Sequence, residues 1–353
     1  MHPIDGPSGI LAYNSFPQNG DMVIDSTESW NSSTNNYRFF RNTIMHEHGH
    51  GLGFEHVCPI NSTKLMEPLL ATVFDGPQQD ELRAVQANYG DPYEANDSAA
   101  TASPLGVIAA GGTISIGTVP APAIANTAIL SLTPVGDAAD YFSFTIDAPR
   151  LVDFTVTPVG SSYSDWDQTG GCATSGPTSN ALTQADLIVT AYAANGTTPW
   201  RSQNDNIVGQ AESISDLLMS PAGTYFVKVS AAAAPAETQM YRLFVNVNNT
   251  ALAPNASDGT FPGFVRITWP SIADATNYQV VRNTVNSTAG ASQVGQGTAT
   301  TFDDMTAVPS TPYFYFVRAL QPGNFAYRFL NTMGATGFAG STCGTADFNG
   351  DGD

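Results

Sequence analysis

Residues 46–56 read His46-Glu47-His48-Gly49-His50-Gly51-Leu52-Gly53-Phe54-Glu55-His56, and that string constrains the surrounding fold more than any other stretch of the chain. The segment from Asn42 to Leu52 predicts a helix that stops at Gly51-Leu52-Gly53, since glycine suits the reversal at a helix C-terminus. On such a helix His46 and His50 lie one turn apart on one face, so both imidazoles reach a single ion. Gly53 lets the backbone leave the helix and turn back, which brings His56 round as a third nitrogen donor. Three neutral imidazoles leave a tetrahedral Zn²⁺ with one position open to water, as in catalytic rather than structural sites. Glu47 stands beside the first ligand, where a carboxylate can hold that water and take its proton. His48, two positions past His46, points away from the pair and is expected in solvent or behind the ligands, not as a ligand itself.

No histidine follows His56 in the 353 residues, and the pattern of the chain changes beyond it. A second helix is predicted from Gln79 to Asn88, with Leu82, Val85 and Gln86 on one face and Gly90 at its end. The acidic run from Gly90 to Asp97 reads as a linker. Apolar residues then alternate with period two in 140–146, 151–156 and 224–230, and again in 265–269, 278–282 and 313–319. Short alternating strands between Gly, Pro and Asn turns predict antiparallel sandwiches. Trp269, Tyr278 and Tyr313 are read as core side chains in preference to a sugar-binding platform. The length exceeds one ordinary core. The segments are 1–90, 91–248, 249–339 and a Gly/Thr-rich tail, 340–353.

The formal net charge is −19, and Lys64 and Lys228 are the two lysines. Such a chain repels phosphate, which excludes nucleic-acid binding and adhesion to anionic membranes. No run of about eighteen apolar residues is present to insert in a bilayer. Cys58, Cys172 and Cys343 lie far apart with no C-x-x-C, so they form neither a zinc knuckle nor a dense disulfide framework. Their pairing stays open, with at least one thiol left over within the chain.

The pattern H-E-x-x-H-x-x-G-x-x-H resembles the metzincin zinc endopeptidases, and its surroundings resemble their matrixin branch. Leu65-Met66-Glu67-Pro68 is similar to the Met-turn of that family, which places Met66 beneath the zinc ligands. The stretch 79–90 resembles the C-terminal helix of the matrixin domain. Asp5-Gly6-Pro7-Ser8-Gly9-Ile10-Leu11-Ala12 is similar to the family loop that wraps a structural Ca²⁺ and leads into the substrate-facing strand. The resemblance implies calcium ligands from Asp5, Asp25 and Glu28 and from the carbonyls of Gly6, Ser8 and Ile10. Tyr13 and Val23 stand at two histidine positions of the family's second zinc, so that site is not expected. The resemblance also implies a peptide substrate lying antiparallel along 9–13, touching Leu11 and Ala12, with Pro68 to Leu70 lining the pocket beyond the cleaved bond. The family commonly has tyrosine where Leu70 stands. Matrixin domains run to roughly twice the length of 1–90, within the usual domain range. Opening strands, a first helix and a signal peptide are therefore expected upstream of Met1, and the mature protein is expected to be secreted.

Asp91 to Ser98, 140–144, 185–189 and 221–227 resemble the bacterial pre-peptidase C-terminal domain, with a long insertion from Trp166 to Ser179 that contains Cys172. The third segment is similar to a fibronectin type III module. The pre-peptidase resemblance implies a role in secretion, processing or substrate attachment, and cell-surface or polysaccharide attachment through the β-domains is expected. Asp347, Asn349 and Asp351 open an EF-hand-type calcium loop, or else a solvated acidic tail. The expected architecture is multidomain: an α+β metzincin-like catalytic fragment followed by two all-β sandwiches. The expected activity is zinc-dependent peptide-bond hydrolysis, and the alternative is a non-catalytic adhesion protein with a protease remnant.

Overall fold

The computed structural model describes residues 1–117, 129–168, 171–172, 176–323 and 326–341. The first segment holds a two-stranded antiparallel sheet, β1 (Ala12–Asn14) and β2 (Met22–Ile24), followed by helix α1 (Arg38–Gly51). A short strand β3 (Val57–Cys58) and helix α2 (Gln79–Tyr89) complete it.

Helix α1 begins four residues before the predicted start, because Phe39 and Phe40 pack on Trp30, with ring centroids at 5.4 and 5.3 Å. Its buried face is Asn42, Thr43, His46, Glu47 and Gly49. That face is polar, so apolar periodicity marks the helix poorly. Asn42 offsets its burial with hydrogen bonds. Its amide donates to Ala71 O at 2.9 Å and its carbonyl accepts from Gly76 N at 3.0 Å. Helix α2 runs one residue past its predicted end, under a capping box between Gln78 and Glu81. Its buried residues are Glu81, Arg83 and Gln86, with Leu82 and Val85 only half-buried.

The second segment is a sandwich. One sheet orders Pro199–Gln203, Leu187–Tyr192, Gly223–Ala231, Ala139–Ile146 and Ser103–Val107, with only the last pair parallel. The facing sheet orders Glu212–Met219, Arg150–Val159, Gln239–Val247 and Thr113–Ile116, and Leu130–Leu132 also pairs with Gln239–Val247. Alternate residues of both sheets, among them Phe142, Phe144, Phe154 and Tyr241, fill one core. Removing such side chains from water is the main force holding the two sheets together.

The third segment is a smaller sandwich of Asn255–Ala256, Val265–Thr268 and Thr301–Asp304 against a sheet centred on Asn277–Asn283 and Tyr313–Leu320. Trp269, Tyr278 and Tyr313 are buried in its core. Leu151 and Leu218 of the second segment join that same cluster. Gln321 ties the two further, accepting from Leu218 N at 2.8 Å and donating to Asp216 O at 2.8 Å. No helix among the described residues is long and apolar enough to cross a membrane.

Candidate metal centre

The three histidines predicted to share an ion converge. His56 Nε2 lies 3.1 Å from His46 Nε2 and 3.2 Å from His50 Nε2. Each ring is held from behind through Nδ1. The acceptor is Leu65 O at 2.7 Å for His46, Phe54 O at 2.7 Å for His50, and Gln168 Oε1 at 3.0 Å for His56. An Nδ1–H donated outward leaves each Nε2 lone pair facing inward, the tautomer that a metal needs. Burial lowers the His46 pKa to about 4, and burial with the neighbouring His50 also lowers His56, so both stay neutral near pH 7. His48 is exposed, on the far side of the helix.

Glu47 is buried, and its Oε2 has no hydrogen-bond partner. Burial raises its carboxyl to about 7. A buried acceptor without a donor, beside three inward lone pairs, fits a water held at a metal. The donor set, three imidazole nitrogens with no thiolate, fits Zn²⁺.

Gly53 takes φ +92°, the left-handed turn that lets residues 54–56 fold back over the helix. Gly49 serves a different need. A Cβ there would lie 2.4 Å from the Sδ of Met66, which is 2% exposed and packs against α1 at Gly49. Two acids absent from the sequence-based site hold Met66 in place. Glu81 accepts from Met66 N at 2.9 Å. Glu67, with no exposure, accepts from the amides of Asn61, Ser62, Thr63 and Lys64 at 2.7–3.0 Å. Although burial alone would raise its pKa, those four amides hold Glu67 below the ordinary carboxylate range. Glu81 and Gln78 form a capping box in the structure, but Gln78 is not one of the usual N-cap residues, so no sequence signal marks Glu81, and none marks Glu67.

A cleft of about 590 Å³ opens over the histidines. Its lining includes residues 9–14, with Leu11 and Ala12, and Pro68, Leu69 and Leu70. Asn14 Nδ2 donates to Glu47 O at 2.8 Å, fixing that strand to the helix that bears the histidines. Among the described residues β1 pairs with β2 alone. Tyr13 and Val23 face each other across that pair.

The loop 5–10 lies against 25–28. Asp5 accepts from Ile10 N at 3.1 Å, Glu28 accepts from Ser8 N at 2.6 Å, and buried Asp25 accepts from Thr27 N at 2.7 Å. These acids already accept from backbone amides of the two loops, and Gly6 stands at φ +94° in its turn. Other acidic groups have oxygens within 4.8 Å of one another: Asp91, Glu94 and Asp140, and Glu94, Asp97 and Asp137. They could hold a hard cation. Burial, then the Glu94 charge, pushes Asp137 up to about 8, and burial pushes Asp91 up to about 6. Asp347, Asn349 and Asp351 lie outside the described residues.

Residues 1–90 match the matrixin family model. Over 102 residues the chain is 34% identical to stromelysin-3 of Mus musculus, covering 28% of this chain and 20% of that protein. Over 94 residues it is 37% identical to neutrophil collagenase of Homo sapiens, covering 25% of this chain and 20% of that protein. The chain therefore spans about one-fifth of the length of these curated relatives. Among solved structures, an Fn3-like protein from Clostridium thermocellum aligns at 21% identity and a TM-score of 0.21, covering 26% of this chain and 96% of that one.

Proposed function

From a matrixin-like segment over residues 1–90, we propose that the chain carries a zinc-dependent endopeptidase site. The observation behind this reading is the meeting of three Nε2 atoms, the His56 nitrogen lying 3.1 and 3.2 Å from the other two, beside the partnerless carboxylate oxygen of Glu47. His46, His50 and His56 would hold the ion and Glu47 is the general base. Bound zinc supplies Lewis-acid polarisation of the scissile carbonyl and lowers the pKa of the attacking water. Glu47 takes the water's proton and delivers it to the leaving amine. The open edge of β1 takes the peptide antiparallel through main-chain hydrogen bonds at Leu11 and Ala12. Pro68 and Leu70 bound the pocket for the side chain after the cleaved bond, and Met66 supports the ligands from below.

Calcium is the structural ion of this reading, held by Asp5, Asp25, Glu28 and the carbonyls of Gly6, Ser8 and Ile10. The Cys58–Cys172 disulfide supports a secreted protein, because such bonds persist in oxidising compartments. Attachment to a cell surface or polysaccharide falls to the β-domains, but not to Trp269, Tyr278 or Tyr313, whose rings are buried.

The test uses the full chain, zinc-loaded, against a library of quenched peptides. Cleavage that a chelator abolishes and added Zn²⁺ restores is the expected result. Zinc uptake with no peptide cut would favour the non-catalytic surface protein.

A further inference from the structure

The three imidazoles are not oriented from one source. The acceptors for His46 and His50, Leu65 O and Phe54 O, belong to the same ninety-residue segment as the histidines. The acceptor for His56 is Gln168, 112 positions further along and on the insertion of the second segment. His56 also has the least local support, since it lies past the Gly53 turn rather than on α1.

The placement of Gln168 is secured on both sides. Directly before it, Trp166–Asp167 pairs antiparallel with β3, setting Trp166 opposite Cys58 and Asp167 opposite Val57. Four residues after it, Cys172 is disulfide-bonded to Cys58, which is itself two residues from His56. The second segment also clamps α2. Arg83, 6% exposed, donates to Thr238 O at 3.0 Å and to Glu237 at 2.7 Å, and it also bonds to Tyr163. Ser161 Oγ donates to Gln79 Oε1 at 3.0 Å.

We propose that Gln168 is a positioning residue for the third zinc ligand, so that the second domain completes the metal centre of the first. The proposal rests on the zinc reading given above. A neutral imidazole with no acceptor at Nδ1 can carry its proton on Nε2 instead, and the nitrogen aimed at the ion then has no lone pair to give. The Gln168 carbonyl, as acceptor, favours the Nδ1–H form and so keeps the Nε2 lone pair for the ion. Losing such a partner typically lowers metal affinity about 10–100-fold. The disulfide and the paired strand keep the carbonyl in range without help from the cleft itself. Any acceptor of similar reach at position 168 serves, so Gln168→Glu preserves the function and Gln168→Ala removes it.

The experiment measures Zn²⁺ affinity of the full chain by competition with a chromophoric chelator, for wild type, Gln168→Ala, Gln168→Glu and His50→Ala. ¹⁵N shifts of the imidazoles are recorded on the metal-free proteins. Gln168 is exposed, so neither change at 168 threatens the fold, and melting curves verify this. The expected result is an affinity loss of about 10–100-fold in Gln168→Ala, restored in Gln168→Glu. His56 should carry its proton on Nδ1 in wild type and in Gln168→Glu, and show mixed tautomers in Gln168→Ala. Wild-type affinity and an unchanged His56 tautomer in Gln168→Ala would overturn the proposal while leaving the zinc reading standing. Wild-type zinc binding no tighter than that of His50→Ala would overturn the zinc reading, and the proposal with it.

Discussion

At the scale of single residues, the string 46–56 acts through atoms that the one-letter pattern specifies. Histidines spaced by four share a helix face whatever surrounds them, which is why the histidine cluster is legible in the sequence. Glu47→Gln keeps the buried shape but cannot take a proton. It is expected to leave zinc bound and to lower turnover by about 10² to 10⁴, since general-base catalysis contributes on that scale. Zinc stoichiometry and peptide cleavage on one preparation check both halves. Nothing in the sequence explains the glycine at position 49. The structure supplies a reason, because a Cβ would fall 2.4 Å from the Met66 sulfur. Gly49→Ala therefore forces a shift where α1 packs on Met66. A loss of about 1–3 kcal/mol is expected from such overpacking, together with weaker zinc binding. Urea unfolding and chelator competition measure the two effects.

At the scale of elements, α1 is marked by its motif and its glycine stop and α2 by Leu82, Val85 and Gln86 on one face, yet neither helix buries an apolar stripe. Each buries polar residues, Asn42, His46 and Glu47 on α1, and Glu81, Arg83 and Gln86 on α2. Periodicity arguments assume that the inward face is apolar, so Arg83 could not be expected inside: its carbonyl and carboxylate partners lie more than 150 positions away. The segment from Asn61 to Glu67 is shaped by one carboxylate that collects four amides, an arrangement with no local spacing rule behind it. Glu81→Ala should expose how far α2 supports the centre. The change breaks the capping box and leaves Met66 N buried without an acceptor. A destabilisation of about 1–3 kcal/mol is expected, the usual cost of a buried donor left unpaired. It should appear in the transition that zinc shifts, and in no other, when unfolding is followed with and without the metal.

For the whole molecule, buried acids set the response to pH. Burial pushes Asp91 up to about 6, and burial with Glu94 pushes Asp137 up to about 8. Asp80 and Asp165, where α2 meets the insertion, are also raised, first by burial and then by the Glu81 and Asp80 charges respectively. A group whose folded pKa lies above its unfolded value favours the folded state fully below the unfolded pKa, near 4 for aspartate. That contribution is lost as pH rises through the folded value. In buffer containing a chelator, the melting temperature should therefore fall between about pH 5 and pH 8. A flat profile would show that these carboxyls are not held protonated in the fold. The sequence by itself determined the local pattern: the spacing of the three histidines, the glutamate next to the first of them, and the period-two strands, all of which depend on residues a few positions apart. Tertiary structure alone decided that Cys58 pairs with Cys172, that Arg83 is buried, and that Gln168 meets the Nδ1 of His56. Those contacts join residues more than a hundred positions apart, and they depend on how distant segments of the chain pack together, which no short spacing records.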